Sequence, residues 1–315
     1  MAAAAEILAI LALKRSSASE VTSVPNKLCF AALLLLTTLG LAQDSGRAQT
    51  EVRFVEVEPG INLEVVDWGG RGRPVVLLAG LGETAHVYYQ FASKLTDAYH
   101  VFGITRRGFG ASSVPNSGYT ASRLADDVVR VLDVMKIDEG VLVGHSVAGE
   151  ELSAVGARYA DRIAGLIYLD AAWDRTYSAP KEEQDRAAKM GIAGQPKAVP
   201  GRFDPAHAVR AGVQKPDYDQ IRVPALAFYP ASRSWQELLP GAPAITDPEK
   251  RALAEQVVAD VARVRKRMAE AFRSGVAASR VIELPGAGHY LFQTNESDVL
   301  REMRLFIEKL PAPRN

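Results

Sequence analysis

Residues 141–152 read Val-Leu-Val-Gly-His-Ser-Val-Ala-Gly-Glu-Glu-Leu, and this stretch carries the strongest indication of the fold. The apolar run that ends at Gly144 is typical of a strand that is buried on both faces, as the strands of parallel sheets are. A helical pattern follows directly after Ser146. We therefore predict a sharp turn at Ser146, where the small residues Gly144 and Ala148 prevent clashes between the strand and the helix.

A serine on such a turn projects its hydroxyl away from the backbone, with the N-terminus of the helix behind it. The short motif Gly-x-Ser-x-Gly/Ala is weak evidence alone, because common residues produce it by chance. Here a strand precedes it, a helix follows it and several strand-helix units come earlier in the chain. We therefore expect Ser146 to be a nucleophile, and such a serine needs a base and a group that orients the base.

From residue 51 onward the chain alternates short apolar or β-branched runs with helical patterns. Strands are predicted at residues 51–58, 61–68, 74–79, 101–105, 140–144, 163–169, 223–229 and 280–284. Helices are predicted at residues 86–96, after a Thr120 cap, at residues 247–273 and after a Ser297 cap. This alternation indicates an α/β fold with a mostly parallel sheet and helices on both of its faces.

The alternation is interrupted between about residues 173 and 219 by a stretch that is rich in proline, glycine and charged residues. We interpret this stretch as a helical lid. It is inserted into an α/β domain that we expect to extend over residues 43–315.

These features resemble the α/β-hydrolase family over nearly all of the α/β part of the chain. Ala79-Gly80-Leu81-Gly82 follows a buried strand as the family's His-Gly oxyanion loop does, with Ala79 in the place of the usual histidine. The resemblance implies that the backbone N–H groups of Leu81 and Val147 bind an oxyanion. That role does not require a side chain at position 79. Residues 105–113 resemble a loop of the family for which we expect a structural role.

The resemblance also indicates the base and the acid. His289 follows the last predicted strand through a glycine-rich loop, where the family keeps its base. Asp170 ends the strand beside the nucleophile strand, at the sheet edge where ligands bind, and some haloalkane dehalogenases of this fold carry their acid there. The more usual acid position has no carboxylate until Glu237. Asp170 is therefore the candidate acid, with Asp174 and Glu237 as alternatives.

Composition argues against several other functions. The 37 Lys and Arg residues balance 37 Asp and Glu residues, so the chain has no basic excess for binding a nucleic acid. Its one cysteine, Cys29, cannot form an internal disulfide or a cysteine-rich metal site. A Ser-His-Asp triad works without a metal or an organic cofactor, so we predict neither.

Residues 1–42 are predicted to be an N-terminal extension and a signal peptide. Lys27 precedes an apolar run, and the small residues Gly40 and Ala42 fit cleavage after Ala42, with Ala48 as a later cleavage point. The run is shorter than the roughly 20 apolar residues that a membrane helix needs. We therefore expect a secreted or periplasmic protein without stable membrane insertion, with an uncleaved membrane anchor as the alternative.

The family resemblance implies a serine hydrolase that acts on a small molecule through an acyl-enzyme. We expect carboxylic esters, because a lid over an apolar pocket suits acyl chains or aromatic esters. The serine at residue 146 excludes the aspartate-nucleophile mechanisms of dehalogenases and epoxide hydrolases. Acyl transfer, perhydrolysis and the hydrolysis of lactone, thioester, amide or carbon–carbon bonds remain alternatives on the same triad. A non-enzymatic ligand receptor is the alternative from another class.

Overall fold

A computed structural model describes residues 50–191, 201–239, 242 and 244–312. Eight strands lie in these residues, at positions that differ from the predicted ones by no more than two residues at either end. They are β1 (Glu51–Glu58), β2 (Ile61–Gly69), β3 (Pro74–Leu78), β4 (His100–Ile104), β5 (Gly140–His145), β6 (Ile163–Leu169), β7 (Ala225–Ala231) and β8 (Ser279–Pro285).

The eight strands form one sheet in the order β1-β2-β4-β3-β5-β6-β7-β8. β2 pairs antiparallel with both β1 and β4, whereas all pairs from β4 to β8 are parallel. The predicted mostly parallel α/β sheet is therefore confirmed. Because the carboxyl ends of parallel strands meet at one edge, the loops after β3, β5, β6 and β8 are brought together there.

Helices cover both faces of this sheet. They are α1 (Tyr89–Ser93), α2 (Ala121–Val134), α3 (Ala148–Arg158), α4 (Lys181–Lys189), α5 (Pro205–Ala211), α6 (Trp235–Leu238), α7 (Pro248–Gly275), α8 (Leu291–Thr294) and α9 (Glu296–Glu308). One core cluster packs α2, α3 and α7 against the sheet, and the other packs α1 and α9 against the opposite face. Alternate strand residues enter the two clusters: Leu142 faces the first, and Val141 and Val143 face the second.

Three predicted helix features can be compared with the structure. The Thr120 cap is confirmed, because its side chain accepts a hydrogen bond from the Arg123 N–H at 3.3 Å. The helix predicted at residues 86–96 is instead a 3₁₀ turn at Ala85–Tyr88 followed by the short α1. The Ser297 cap is wrong. The short helix α8 leads almost directly into α9, so α9 begins at Glu296 and Ser297 lies in its first turn.

The stretch that we interpreted as a lid lies between β6 and β7. Its described part contains α4, α5 and a 3₁₀ turn at Tyr218–Gln220, while residues 192–200 lie outside the described part. Asp204 caps α5, with its carboxylate accepting the Ala206 N–H at 2.9 Å. Val209 on α5 packs in one apolar cluster with Leu81 and Val147. The described part of this insertion therefore contacts the loops at the carboxyl edge of the sheet.

The predicted signal peptide and its cleavage points, including Cys29, lie outside the described residues. Among the helices of the described part, none combines the length and apolar character that crossing a membrane requires.

Candidate active site

Ser146 lies at the junction of β5 and α3, in the left-handed backbone region with φ of +55°. This conformation is costly for any residue other than glycine and is found mostly where function requires it. Glycines make the turn sterically feasible. A Cβ at Gly144 would lie 2.9 Å from Leu152, and a Cβ at Gly149 would lie 1.8 Å from the carbonyl oxygen of Ala171. The close approach at Gly149 was not predicted from the sequence.

His289 and Asp170 meet beside this turn. The Nδ1 atom of His289 lies 2.8 Å from Oδ2 of Asp170, and both side chains are buried. The loop after β8 carries His289, and Asp170 directly follows β6, where its own N–H donates to the carbonyl oxygen of Phe228 at 3.0 Å. With φ of +48°, Asp170 is a second residue in the left-handed region. The sequence-predicted base and acid are therefore brought into hydrogen-bond contact.

Two further side chains hold the Asp170 carboxylate. The indole Nε1 of Trp173 donates to Oδ1 at 3.1 Å, and a guanidinium nitrogen of Arg265 on α7 lies 3.8 Å from Oδ2. Burial alone would raise the pKa of Asp170. The hydrogen bond from His289 and the charge of Arg265 outweigh that effect and hold the pKa below its usual value. Asp170 is thus kept ionised at neutral pH.

The second ring nitrogen of His289 is poised for proton transfer. Its Nε2 atom is buried and has no hydrogen-bond partner among the described residues. With Nδ1–H donating to Asp170, Nε2 of the neutral ring carries a lone pair that can accept a proton. The hydroxyl of Ser146 is not hydrogen-bonded to it in the structure. Such bonds are often long without substrate and tighten when substrate binds.

His145, the residue before Ser146, contacts the backbone of the loop that carries His289. His145 is buried, and its Nε2 lies 3.1 Å from the backbone oxygen of His289. Burial, followed by the nearby His289 ring, holds the pKa of His145 well below its usual value. A neutral His145 therefore donates its Nε2–H to the His289 carbonyl, which fixes the backbone of the predicted base.

The predicted oxyanion residues lie next to Ser146. Leu81 follows β3 and Val147 precedes the first residue of α3, and both are 4% exposed. Neither backbone N–H donates a hydrogen bond to another group in the described part of the chain. A Cβ at Gly80 would lie 2.9 Å from His145, so glycine allows the loop to approach the turn closely. Two unused donors at this edge are what an oxyanion site requires.

A partly buried carboxyl group, that of Glu83, lies between the loop that carries Leu81 and the loop that carries His289. Glu83 accepts a hydrogen bond from the Tyr290 hydroxyl at 2.9 Å, and its Oε2 lies 3.9 Å from Nδ1 of His145. Burial raises the pKa of Glu83, although the hydrogen bond from Tyr290 opposes this effect. Glu83 therefore connects the two loops that carry the predicted oxyanion donor and the predicted base.

The alternative acids lie elsewhere. Asp174 accepts hydrogen bonds from the backbone N–H and the hydroxyl of Thr176, at 3.0 and 2.5 Å. Glu237 accepts the backbone N–H of Arg233 at 2.7 Å. Neither carboxylate contacts His289, whereas Asp170 does. Within the described residues, no group of three or more His, Cys, Asp or Glu side chains is arranged to hold a metal ion.

Sequence reasoning missed the side chains that support Asp170. Arg265 is a charge beside the apolar stripe of α7, between Val264 and Met268, and a charge at such a position is a signal of a buried partner. Trp173 lies three residues after the acid, in the segment assigned to the lid. Nothing in the local sequence indicates that its indole turns back to Asp170.

Comparison with known proteins gives one family. The family model for the alpha/beta hydrolase fold matches residues 73–214. The chain is 37% identical over 126 residues to epoxide hydrolase A of Mycobacterium tuberculosis, which is 39% of this chain and 38% of that protein. It is 29% identical over 121 residues to the bifunctional esterase/perhydrolase of Acinetobacter calcoaceticus, which is 38% of this chain and 44% of that protein. The matches thus span less than half of these relatives.

Similarity to solved structures covers more of the chain. A thermophilic esterase from Thermogutta terrifontis superimposes with a TM-score of 0.57, covering 83% of this chain and 99% of that one at 21% identity. At this level of identity the similarity establishes the fold and leaves the reaction open.

Proposed function

Because the chain belongs to the α/β-hydrolase fold family, we propose that it is a serine hydrolase that cleaves carboxylic esters through an acyl-enzyme intermediate. The observation that carries the proposal is the 2.8 Å contact between His289 and Asp170 beside Ser146, a serine held in a left-handed turn. The family relationship makes hydrolysis the expected class of reaction, and the serine, imidazole and carboxylate give it a mechanism.

In the acylation step Nε2 of His289 takes the Ser146 proton while Oγ attacks the ester carbonyl carbon. Asp170 holds the imidazole in the tautomer that leaves Nε2 free and stabilises the imidazolium that forms. The proton then passes from His289 to the departing alkoxide, and the alcohol leaves. An ester bond to Ser146 replaces the ester bond of the substrate.

The negative charge that develops on the carbonyl oxygen is bound by the N–H groups of Leu81 and Val147. Donors that are already fixed stabilise this charge without reorganisation, and one such donor is typically worth a factor of about 10²–10³ in rate. In deacylation His289 removes a proton from water, the resulting hydroxide attacks the acyl carbon, and the proton returns to Ser146. The acid product leaves and the enzyme is restored.

The position of α5 supports an apolar substrate group. Val209 packs with Leu81, Val147, Tyr119 and Leu124 in a single apolar cluster. An acyl chain or aromatic group bound at the oxyanion loop would therefore meet apolar side chains. We propose that the insertion around α5 is a lid and determines specificity, and that the protein acts after export from the cytoplasm.

Two named relatives bear on the alternatives. The mycobacterial relative is named an epoxide hydrolase, but here a serine stands at the position where the aspartate-nucleophile mechanism needs a carboxylate. The Acinetobacter relative is named an esterase/perhydrolase. Perhydrolysis is therefore the second candidate, since hydrogen peroxide can replace water in the attack on the same acyl-enzyme.

The test is a panel of p-nitrophenyl esters from short to long acyl chains, assayed with purified protein whose folding is verified by circular dichroism. We expect turnover that depends on chain length and is lost in Ser146→Ala. Adding hydrogen peroxide and measuring peracid separates perhydrolysis from hydrolysis. A folded wild-type protein that turns over no ester in the panel would refute the esterase proposal.

A further inference from the structure

A buried arginine contacts the backbone of the loop Ala79–Gly82, which carries the Leu81 N–H and is called the oxyanion loop below. Arg106 follows β4, is 5% exposed, and donates from Nη2 to the carbonyl oxygen of Ala79 at 2.9 Å. Its Nη1 donates to the carbonyl oxygen of Gly80 at 3.3 Å. These two carbonyls belong to the peptide groups just before Leu81, so the guanidinium holds the backbone of the loop directly.

The contact with Gly80 sets the direction of the Leu81 N–H. The Gly80 carbonyl and the Leu81 N–H are the two ends of one planar trans peptide group, and in such a group they point in opposite directions. A donor that fixes the carbonyl therefore also fixes the N–H on the other side. A cation on the carbonyl side also polarises the peptide group, which makes the N–H a stronger donor.

The guanidinium of Arg106 also contacts the helix that follows the other proposed oxyanion donor, Val147. Nε and Nη2 of Arg106 donate to the two carboxylate oxygens of Glu151, each at 2.6 Å. Glu151 lies in the first turn of α3, four residues after Val147. The Arg106–Glu151 pair thus joins the loop that carries the Leu81 N–H to the helix that carries the Val147 N–H.

We propose that Arg106, held by Glu151, is a positioning residue that sets the distance and direction between the two oxyanion donors. The inference rests on the proposed function, because it assigns Leu81 and Val147 to the oxyanion. Four N–H donor contacts are made in fixed directions, and the planar fork of arginine can provide them while the single ammonium group of lysine cannot.

Stability alone is a poor explanation for this pair. Removing two charges from water is expensive, and a buried ion pair is often no more stabilising than apolar residues of the same volume. A requirement for precise geometry at a catalytic loop accounts for a bidentate pair that also donates to two backbone carbonyls.

The neighbouring residue provides a matched control. Arg107 lies in the same loop, is 2% exposed, and makes a bidentate pair with the buried Asp127 at 2.6 Å for both contacts. Its contacts are with Asp127 and Glu58, and none is with the oxyanion loop. Lysine at either position removes a buried bidentate contact between a guanidinium and a carboxylate. Only the change at Arg106 also removes the contacts with the carbonyls of Ala79 and Gly80.

The experiment compares Arg106→Lys with Arg107→Lys by ester hydrolysis and by the backbone amide resonances of Leu81 and Val147. For Arg106→Lys we expect kcat to fall about 10- to 100-fold with KM within about threefold, because mispositioned donors lose transition-state binding. Both amide resonances should shift. Arg107→Lys should keep kcat within about threefold and leave the two resonances in place, whatever stability it loses.

The inference would be overturned if Arg106→Lys kept the kcat and KM of wild type and left the amide resonances of Leu81 and Val147 in place. It would also be overturned if both variants showed the same changes. If Arg106→Lys does not fold, Glu151→Gln tests the same point, because it weakens the fork from the other partner and should shift the same amides. The amide resonances of Leu81 and Val147 test the positioning role of Arg106 even if no ester is turned over. A wild-type protein that hydrolyses nothing refutes the proposed function, whereas active variants with unmoved amides refute only this inference.

Discussion

The substitution Asp170→Asn tests the triad with almost no change in shape. An asparagine amide can present its NH2 group to Nδ1 of His289, which now lies 2.8 Å from a carboxylate oxygen. Nδ1 would then accept, so the ring proton would move to Nε2, the atom that must take the proton of Ser146. The base would be held in the wrong tautomer.

The expected loss in kcat is about 10⁴-fold, which corresponds to about 5.5 kcal/mol of transition-state stabilisation. The protein should also lose about 1–3 kcal/mol of stability, because the buried guanidinium of Arg265 would face a neutral group at 3.8 Å in place of a charge. The assay is ester turnover at a temperature well below the unfolding transition, with circular dichroism as the check on folding.

Asp174→Asn is the matched control for this substitution. Its carboxylate contacts Thr176 and not His289, so we expect kcat within about twofold of wild type, as for a change outside the catalytic contacts. Glu237→Gln should behave in the same way. An Asp170→Asn variant that keeps more than a tenth of wild-type kcat, together with a collapse in either control, would refute the assignment of the acid.

Three further substitutions and one control test the surroundings of the triad. Trp173→Phe removes one donor to the triad carboxylate and should lower kcat roughly fivefold, since a hydrogen bond is worth about 1 kcal/mol; an unchanged kcat would exclude a catalytic effect of this bond. Gly149→Ala places a Cβ 1.8 Å from a backbone oxygen and should cost about 3 kcal/mol or more in urea unfolding. Gly140→Ala is the control, because its Cβ would have its nearest neighbour at 3.4 Å and alanine is favoured over glycine inside a strand by up to about 1 kcal/mol. We therefore expect no comparable loss there, and equal losses in the two variants would contradict the steric argument. Burial of part of the Glu83 side chain raises its pKa, so the folded protein binds a proton more tightly than the unfolded chain does. The free energy of unfolding of wild type, relative to that of Glu83→Gln, should therefore fall as pH rises above about 4.3 toward the folded pKa. A difference between the two proteins that stays constant or rises over that range would contradict the raised pKa.

The sheet could be predicted because its signals are local. Buried parallel strands are continuous apolar runs, and β5 and β6 are bounded by turns that the sequence also marks. The region of α1 was harder to predict. Its buried residues Ala85, Tyr88, Phe91, Ala92 and Leu95 recur at intervals of three and four residues. A 3₁₀ turn followed by a short helix and the predicted continuous α-helix both fit this pattern.

The candidate site was predictable to the extent that chain order determines it. Ser146 and His289 were proposed from their positions after β5 and β8, and Asp170 from its position at the end of the adjacent strand. Local sequence could not show which carboxylate reaches His289, because that contact joins residues 119 positions apart. The support from Arg265 is likewise a tertiary contact, and only a charge beside an apolar stripe indicated it.

The contacts that hold the oxyanion loop could not be predicted from the sequence, because they too join residues far apart in the chain. Arg106 stands in a loop for which the sequence suggested only a structural role, and its partner Glu151 lies 45 residues away on α3. The sequence marks both residues as charged. Only the structure shows that the two side chains pair with each other and that Arg106 also contacts the carbonyls of Ala79 and Gly80.

We propose that His289 activates Ser146 as a nucleophile, and titration with a fluorophosphonate probes the reactivity of that serine itself. We expect one phosphonyl group per folded protein, located on Ser146 by peptide mass spectrometry. Labelling should be absent in Ser146→Ala and much slower in His289→Ala. A folded wild-type protein that is not labelled, or is labelled at another residue, would contradict the claim and favour a ligand receptor or a different nucleophile.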